Sequence, residues 1–115
     1  MPTAGQSQIA TFDQLRIVAF GSITGSYAAL GVPFAHMVRV VILTNSTDKD
    51  VKISIDGVND YLYLTAGTFK LLDISTNRET ACNFYLPIGT QFYVKYVSAP
   101  GSGNVFIETV YGVGE

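Results

Sequence analysis

The chain has 115 residues and no break in composition, which is the size of one domain. Charged residues make up 14 % and hydrophobic residues 48 %, where an average soluble domain carries about 25 % charged residues. The net charge is −2. Arg16, Arg39, Lys49, Lys52, Lys70, Arg78 and Lys95 stand singly along the chain, so there is no basic patch to neutralise phosphates and no direct nucleic-acid ligand is expected. A surface short of charge suits either burial against other subunits, whose interfaces are charge-poor, or a sheet protein clothed in Ser, Thr, Asn and Tyr.

The N-terminal "MPTAGQSQIATFDQ" has no basic region and no apolar core, so no secretory signal is expected there. Its small polar residues predict an extended arm over residues 1–14, followed by one domain over 15–115. Only Ile9 and Phe12 are sizeable apolar anchors in it. They are expected to dock in grooves of a neighbouring subunit, or else to cover the open end of their own domain.

Beyond the arm the chain reads as strands. "QLRIVAFG" is β-rich and stops at a glycine, and "GSITGSYAALGVP" is punctuated by glycine and closed by Pro33. "AHMVRVVILTN" is a long β-branched strand, too short and too interrupted by Arg39 to cross a bilayer. "DVKISIDG" alternates, with Val51, Ile53 and Ile55 on one face and Lys52, Ser54 and Asp56 on the other. "DYLYLTAG" alternates tyrosine with leucine, and "TFKLLDIST" sets Phe69 and Leu71 against Lys70 and Leu72. "NFYLPIG", "TQFYVKYVSAP" and "NVFIETVYG" complete the series, with Pro87 marking a strand end. No segment carries a helical stripe, so no helix longer than about two turns is expected. About eight strands with turn signals between them predict an all-β, antiparallel β-sandwich of jelly-roll type. Val51, Ile53, Ile55, Phe69, Leu71, Phe92, Val94, Val105 and Ile107 are the expected core.

The polar clusters in "ILTNSTDKDVKISIDGVNDYLYLTAG" hold Asp48, Asp50, Asp56 and Asp60. In this strand register they fall in turns, where Asp, Asn, Ser and Thr bond their own backbone. Asp56-Gly57 supplies the positive φ of a tight turn. A calcium site at one edge is the alternative, but the order of residues does not fit the twelve-residue EF-hand pattern. "NST" at Asn45 also fits a glycosylation sequon, and with no secretory signal that match is expected to be accidental.

Catalytic candidates are few. His36 is the only histidine and Cys82 the only cysteine, which leaves no zinc-ligand cluster and no internal disulfide. Nothing beside Cys82 would activate it as a nucleophile. Glu79 and Glu108 are the available carboxylate pair, with Glu79 in a loop and Glu108 alternating outward. No enzyme, cofactor or metal is indicated. Seven tyrosines are more informative. Tyr61 and Tyr63 share a strand face, as do Phe92 and Tyr96. Such aromatic rows pair across strands, form subunit interfaces or stack on sugars.

The runs "LRIVAFGSITGSYAALGVPF", "RVVILTNSTDKDVKISIDGVNDYLYLTAGTFKLLDIST" and "LPIGTQFYVKYVSAPGSGNVFIETVYG" resemble a family of small virion structural proteins of tailed bacteriophages, over residues 15–112. The capsid-decorating staple proteins of podoviruses are similar in size and β-character, as are head–tail, collar and other tail accessory proteins. The resemblance implies a non-enzymatic homo-oligomer that is located in the phage particle and bound to major capsid or head–tail proteins. It implies no catalytic residue and no membrane partner. Ile9, Phe12, Tyr61, Tyr63 and Tyr96 are the candidate contact residues. A sugar-binding sandwich used in receptor recognition is the alternative.

Overall fold

A computed structural model describes residues 8–73 and 86–114. Its strands are β1 (Gln8–Phe12), β2 (Arg16–Ala19), β3 (Ala28–Ala29), β4 (Val38–Asn45), β5 (Val51–Ser54), β6 (Leu62–Leu64), β7 (Thr68–Asp73), β8 (Tyr93–Tyr96) and β9 (Asn104–Gly114). Among the described residues the only helical element is a single 3-10 turn at Phe20–Ser22, and no helix is long and apolar enough to cross a membrane.

The strands form two antiparallel sheets. One runs β1-β9-β4-β7, with β2 beside β1 on the same flank of β9; the other runs β3-β8-β5-β6. The pairings β2–β9, β3–β8, β4–β7 and β5–β6 are nested. A long antiparallel hairpin rolled up on itself gives this nesting, which is consistent with the jelly-roll type expected of the sandwich. The core lies between the sheets. Val41, Leu43, Val51, Ile53, Val105 and Ile107 are fully enclosed, and Phe34 meets Phe92 edge to face at 5.7 Å between ring centroids.

Strict alternation along β4 would send Val38 and Val41 to opposite faces, yet both are buried. The register slips between Val38 and Val40 against β9. This bulge adds one residue and returns both valines to the core.

Three expected core residues lie outside it. Ile55 is 47 % exposed because β5 stops at Ser54. The Ser54 hydroxyl receives the N–H groups of Asp56 and Gly57, so the chain turns at Ile55 and alternation ends there. Phe69 and Leu71 are 65 % and 57 % exposed. In β7, Lys70 lies opposite Leu43 and Leu72 opposite Val41, so the face carrying Lys70 and Leu72 points inward. The alternation of "TFKLLDIST" is present, but with the opposite face turned inward, where Leu72 is partly buried and Lys70 at the sheet edge stays exposed. β7 is the sheet's edge strand, and an inward-pointing lysine there hinders pairing with another chain's edge.

Over Gln8–Phe12, the described part of the expected N-terminal arm before Asp13, the chain is a strand of its own sheet, paired with residues 110–114. Phe12 is 79 % exposed there. The side chain of Ile9 lies outside the described residues, as do Glu79 and Cys82.

Two buried polar side chains tie the connections together. Arg16 is 5 % exposed. Its guanidinium donates to the carbonyls of Val32, Gln14 and Pro33, pairs with Asp13 at 3.3 Å, and lies 4.8 Å above the Phe34 ring. Asn45 is fully buried. Its Nδ2 donates to the carbonyls of Lys49, Leu64 and Thr65, while its Oδ1 accepts the Thr47 N–H. The "NST" sequon is thus the closing bond of the β4–β5 turn, and its amide nitrogen is enclosed.

Candidate functional site

Each loop aspartate is engaged in building structure. Asp56 accepts the N–H groups of Asn59 and Val58, the Ser54 hydroxyl, the Asn59 side-chain amide and the Tyr61 hydroxyl. Those donors, led by the Asn59 N–H, hold its carboxyl well below the usual range. Gly57 takes φ 76°, the conformation expected of the Asp56-Gly57 turn. Asp50 accepts the Tyr63 hydroxyl at 2.6 Å and the Ala66 N–H at 2.9 Å, and both lower its pKa. Asp48 accepts the Gly101 N–H at 2.8 Å, with the same effect. Among the described residues no group of three or more His, Cys, Asp or Glu side chains is placed to hold a metal ion.

The outer face of the four-stranded sheet is polar and aromatic. Lys52 lies between Lys95 and Tyr63, and Ser54 lies beside Tyr93. Asp60 reaches over this face. It accepts the Tyr27 hydroxyl and pairs with Lys52 Nζ at 3.1 Å and Lys95 Nζ at 3.4 Å. The Tyr27 hydrogen bond, then the lysines, bring the Asp60 pKa down to about 2. Partial burial and Asp60 push the Tyr27 hydroxyl well up. Lys95 Nζ lies 4.6 Å from the Tyr27 ring centroid. Tyr61 and Tyr63 are 52 % and 44 % exposed on this face, each with its hydroxyl tied to an aspartate. The structure therefore brings two of the sequence-predicted contact residues together. Tyr96 is on the opposite face: it lies across from buried Val51 and packs against the core.

The outer face of the five-stranded sheet is apolar. The registers set it out in three rows across the strands: Ile17, Phe106, Thr44 and Phe69; then Glu108, Ile42 and Leu71; then Phe12, Val110, Val40 and Asp73. Phe12, Ile17, Phe69 and Leu71 are each at least half exposed. Glu108 is the carboxylate in the middle row, and no cation among the described residues pairs with it. Of these residues, only Phe12 is a contact candidate from sequence alone. Alternation does expose the Phe69-Leu71 and Phe106-Glu108-Val110 faces as units, but it does not say which side of each strand faces out.

His36 lies flat on Tyr111, 3.7 Å between centroids at 2°. Among the described residues no side chain forms a hydrogen bond or an ion pair with it. No family model, curated protein or solved structure matches the chain.

Proposed function

We propose that the chain is a non-enzymatic structural protein of a bacteriophage particle, a capsid decoration or cementing protein that works by adhesion. The observation that carries this reading is the apolar outer face of the five-stranded sheet. Monomeric proteins keep contiguous apolar patches to roughly 300–600 Å², and patches of that size are often functional. Phe12, Ile17, Phe69 and Leu71 alone expose roughly 500 Å², taking about 200 Å² for each full side chain. At about 25 cal/mol per Å² their burial is worth on the order of 10 kcal/mol before the costs of association. Repetition of that contact over a symmetric shell multiplies it into avidity. The resemblance to small virion proteins supports the location, and the jelly-roll pairing is an architecture that viral capsid domains share.

The test is stoichiometry together with binding. Quantitative mass spectrometry of purified particles is expected to find the chain in hundreds of copies. Purified protein is expected to rebind particles stripped of it, with Phe69→Ser/Leu71→Ser binding at least about ten-fold more weakly, the equivalent of losing about 1.4 kcal/mol. Six or twelve copies would replace the shell by a head–tail or tail ring. The absence of the chain from particles would end the reading.

A second reading has an observation of its own. On the outer face of the four-stranded sheet, Tyr61 and Tyr63 have their hydroxyls anchored on Asp56 and Asp50, and fixed aromatic rings beside carboxylates suit sugar stacking. Binding of the isolated protein on a glycan array, lost in Tyr61→Ala/Tyr63→Ala, would favour it.

A further inference from the structure

We infer that β1 is an exchangeable strand: Gln8–Phe12 of one copy takes the place of the same strand on β9 of a second copy, which returns its own β1 in kind. This contact is separate from the apolar face and does not depend on the particle in which the chain is placed.

The seat and its occupant are both present in the structure. Residues 110–114 of β9 form the seat, and β1 fills it in antiparallel register from Gln8↔Gly114 to Phe12↔Val110. A second copy carries the same strand, so its β1 makes the same pairs and needs no new complementarity, as in any exchange of identical elements. The phase of the ladder follows from Asp13, whose N–H donates to the Thr109 carbonyl. Alternation from there turns the backbone groups of Thr11 toward β9 and those of Ala10 and Phe12 toward the outer edge.

β1 is lightly held. β4 begins at Val38, opposite Tyr111, so among the described residues β1 is the only strand paired with residues 112–114 of β9. The two strands are a ribbon there, and a two-stranded ribbon is marginal in water. No other described strand packs on β1 to any extent. Phe12 is 79 % exposed and Ala10 is exposed as well, so lifting β1 gives up a ladder and little core. Such an opening is local and leaves the rest of the domain folded. Its sequence, QIATF, has no charge and no proline, the devices that keep an edge from pairing with another chain. β7, the other edge of the same sheet, carries Lys70.

The joint lies between β1 and β2. Both pair with the same flank of β9, but the pairs Thr11↔Tyr111 and Arg16↔Ile107 differ in phase by one residue, so the link between the two strands is a bulge. Asp13 and Gln14 are fastened to buried Arg16, the first through its carboxylate at 3.3 Å and the second through its carbonyl. That anchor stays with the body of the domain, and the chain pivots where Phe12 joins Asp13. A pivot so close to the seat keeps the strand of the same chain at high effective concentration. The closed monomer is therefore expected in dilute solution, and the exchanged pair where copies are crowded.

Disulfide trapping between two different chains tests this. Ala10 and Gly112 are directly opposed, and the phase of the ladder makes them a non-hydrogen-bonded pair, whose close spacing suits a disulfide. All variants carry Cys82→Ser. With Ala10→Cys and Gly112→Cys in one chain, an internal disulfide is expected in a glutathione redox buffer, which verifies the seat. With the two substitutions in separate chains, neither cysteine has a partner in its own chain. Mixed at about 1 mM, these chains are expected to yield a covalent pair joined 10 to 112, read by peptide mass spectrometry, at least about ten-fold more abundant than at about 10 µM. Val58→Cys, at an exposed turn away from β9, replaces Ala10→Cys as the control for random collision, and its link to 112 is expected to be at least about ten-fold rarer. Circular dichroism checks that each variant keeps the wild-type β spectrum. An internal disulfide in the double variant with no 10–112 link between chains would overturn the inference, as would a 10–112 link no more abundant than the 58–112 link. A double variant that stays open would overturn it too, since β1 would then not occupy this seat. Each of these results leaves the proposed function standing, because particle binding through Phe69 and Leu71 is measured separately.

Discussion

Removing the side chain of Asn45 tests the central claim about the β4–β5 connection, that its polar sequence is there to satisfy buried backbone. Asn45 is fully enclosed. Its Nδ2 lies 2.9 Å from the Lys49 carbonyl, 3.1 Å from that of Leu64 and 3.3 Å from that of Thr65. Its Oδ1 takes the Thr47 N–H at 3.0 Å. The amide orientation follows from these partners, since a flipped oxygen would face three carbonyls. In Asn45→Ala, Thr65 O keeps the Thr68 hydroxyl and Lys49 O keeps the Thr47 hydroxyl. The Thr47 N–H loses its acceptor and Leu64 O loses a buried donor. At about 1–3 kcal/mol for each buried group left short, the expected loss is about 2–4 kcal/mol. For a domain of this length that lowers Tm by roughly 8–15 °C. Asn45→Asp is the sharper variant. It keeps the shape but aims a carboxylate oxygen at three carbonyls, so it should be less stable than the alanine variant. Urea and thermal denaturation followed by circular dichroism give both numbers. An aspartate variant as stable as the wild type, or an alanine variant that loses less than about 1 kcal/mol, would refute the reasoning.

Gly103→Ala should cost about 2 kcal/mol or more in urea denaturation, because the residue has φ 94° and an added Cβ would meet the Ser46 carbonyl oxygen. Arg16→Lys should lose about 2 kcal/mol despite keeping the charge, since a single ammonium cannot serve three carbonyls, Asp13 and the Phe34 ring together. Ile53→Asp should prevent soluble folding, because the site is fully buried. Phe69→Ser and Leu71→Ser, on exposed positions, should change stability by no more than about 0.5 kcal/mol. The folded-state pKa values of Asp48, Asp50, Asp56 and Asp60 are lowered, that of Asp60 to about 2. Their contribution is fully present above the unfolded carboxylate range near pH 4 and is lost as pH falls through the folded values. Tm should therefore be level above about pH 5 and fall between about pH 4 and pH 2, with a shallower fall in Asp56→Asn; a Tm that holds down to pH 2 would contradict the bonding of these aspartates.

The all-β class was legible in the sequence because it rests on local facts: β-branched runs, period-two alternation, and Gly, Pro and Asx clusters between them. The same facts place the Asp56-Gly57 turn and bury Val51, Ile53, Phe92, Val94, Val105 and Ile107. What local chemistry could not decide is which side of an alternating strand faces the core. Phe69 and Leu71 alternate with Lys70 and Leu72 in either case, and only the pairing of Lys70 with Leu43 across β4 turns the aromatic side outward. The bulge between Val38 and Val40 is likewise a property of two strands, since it is the fit of β4 to β9 that brings Val38 and Val41 to one face. Ile55 is exposed because a hydrogen-bonded turn begins before alternation can carry it inward. The contact surfaces belong to the same category. Ile17, Ile42, Phe69, Leu71, Phe106 and Glu108 come from four separate strands, and Tyr27, Lys52, Asp60 and Lys95 are distant in the chain. Their neighbourhood is created by long-range strand order, and it is there that a face short of polar partners acquires a single carboxylate at its centre.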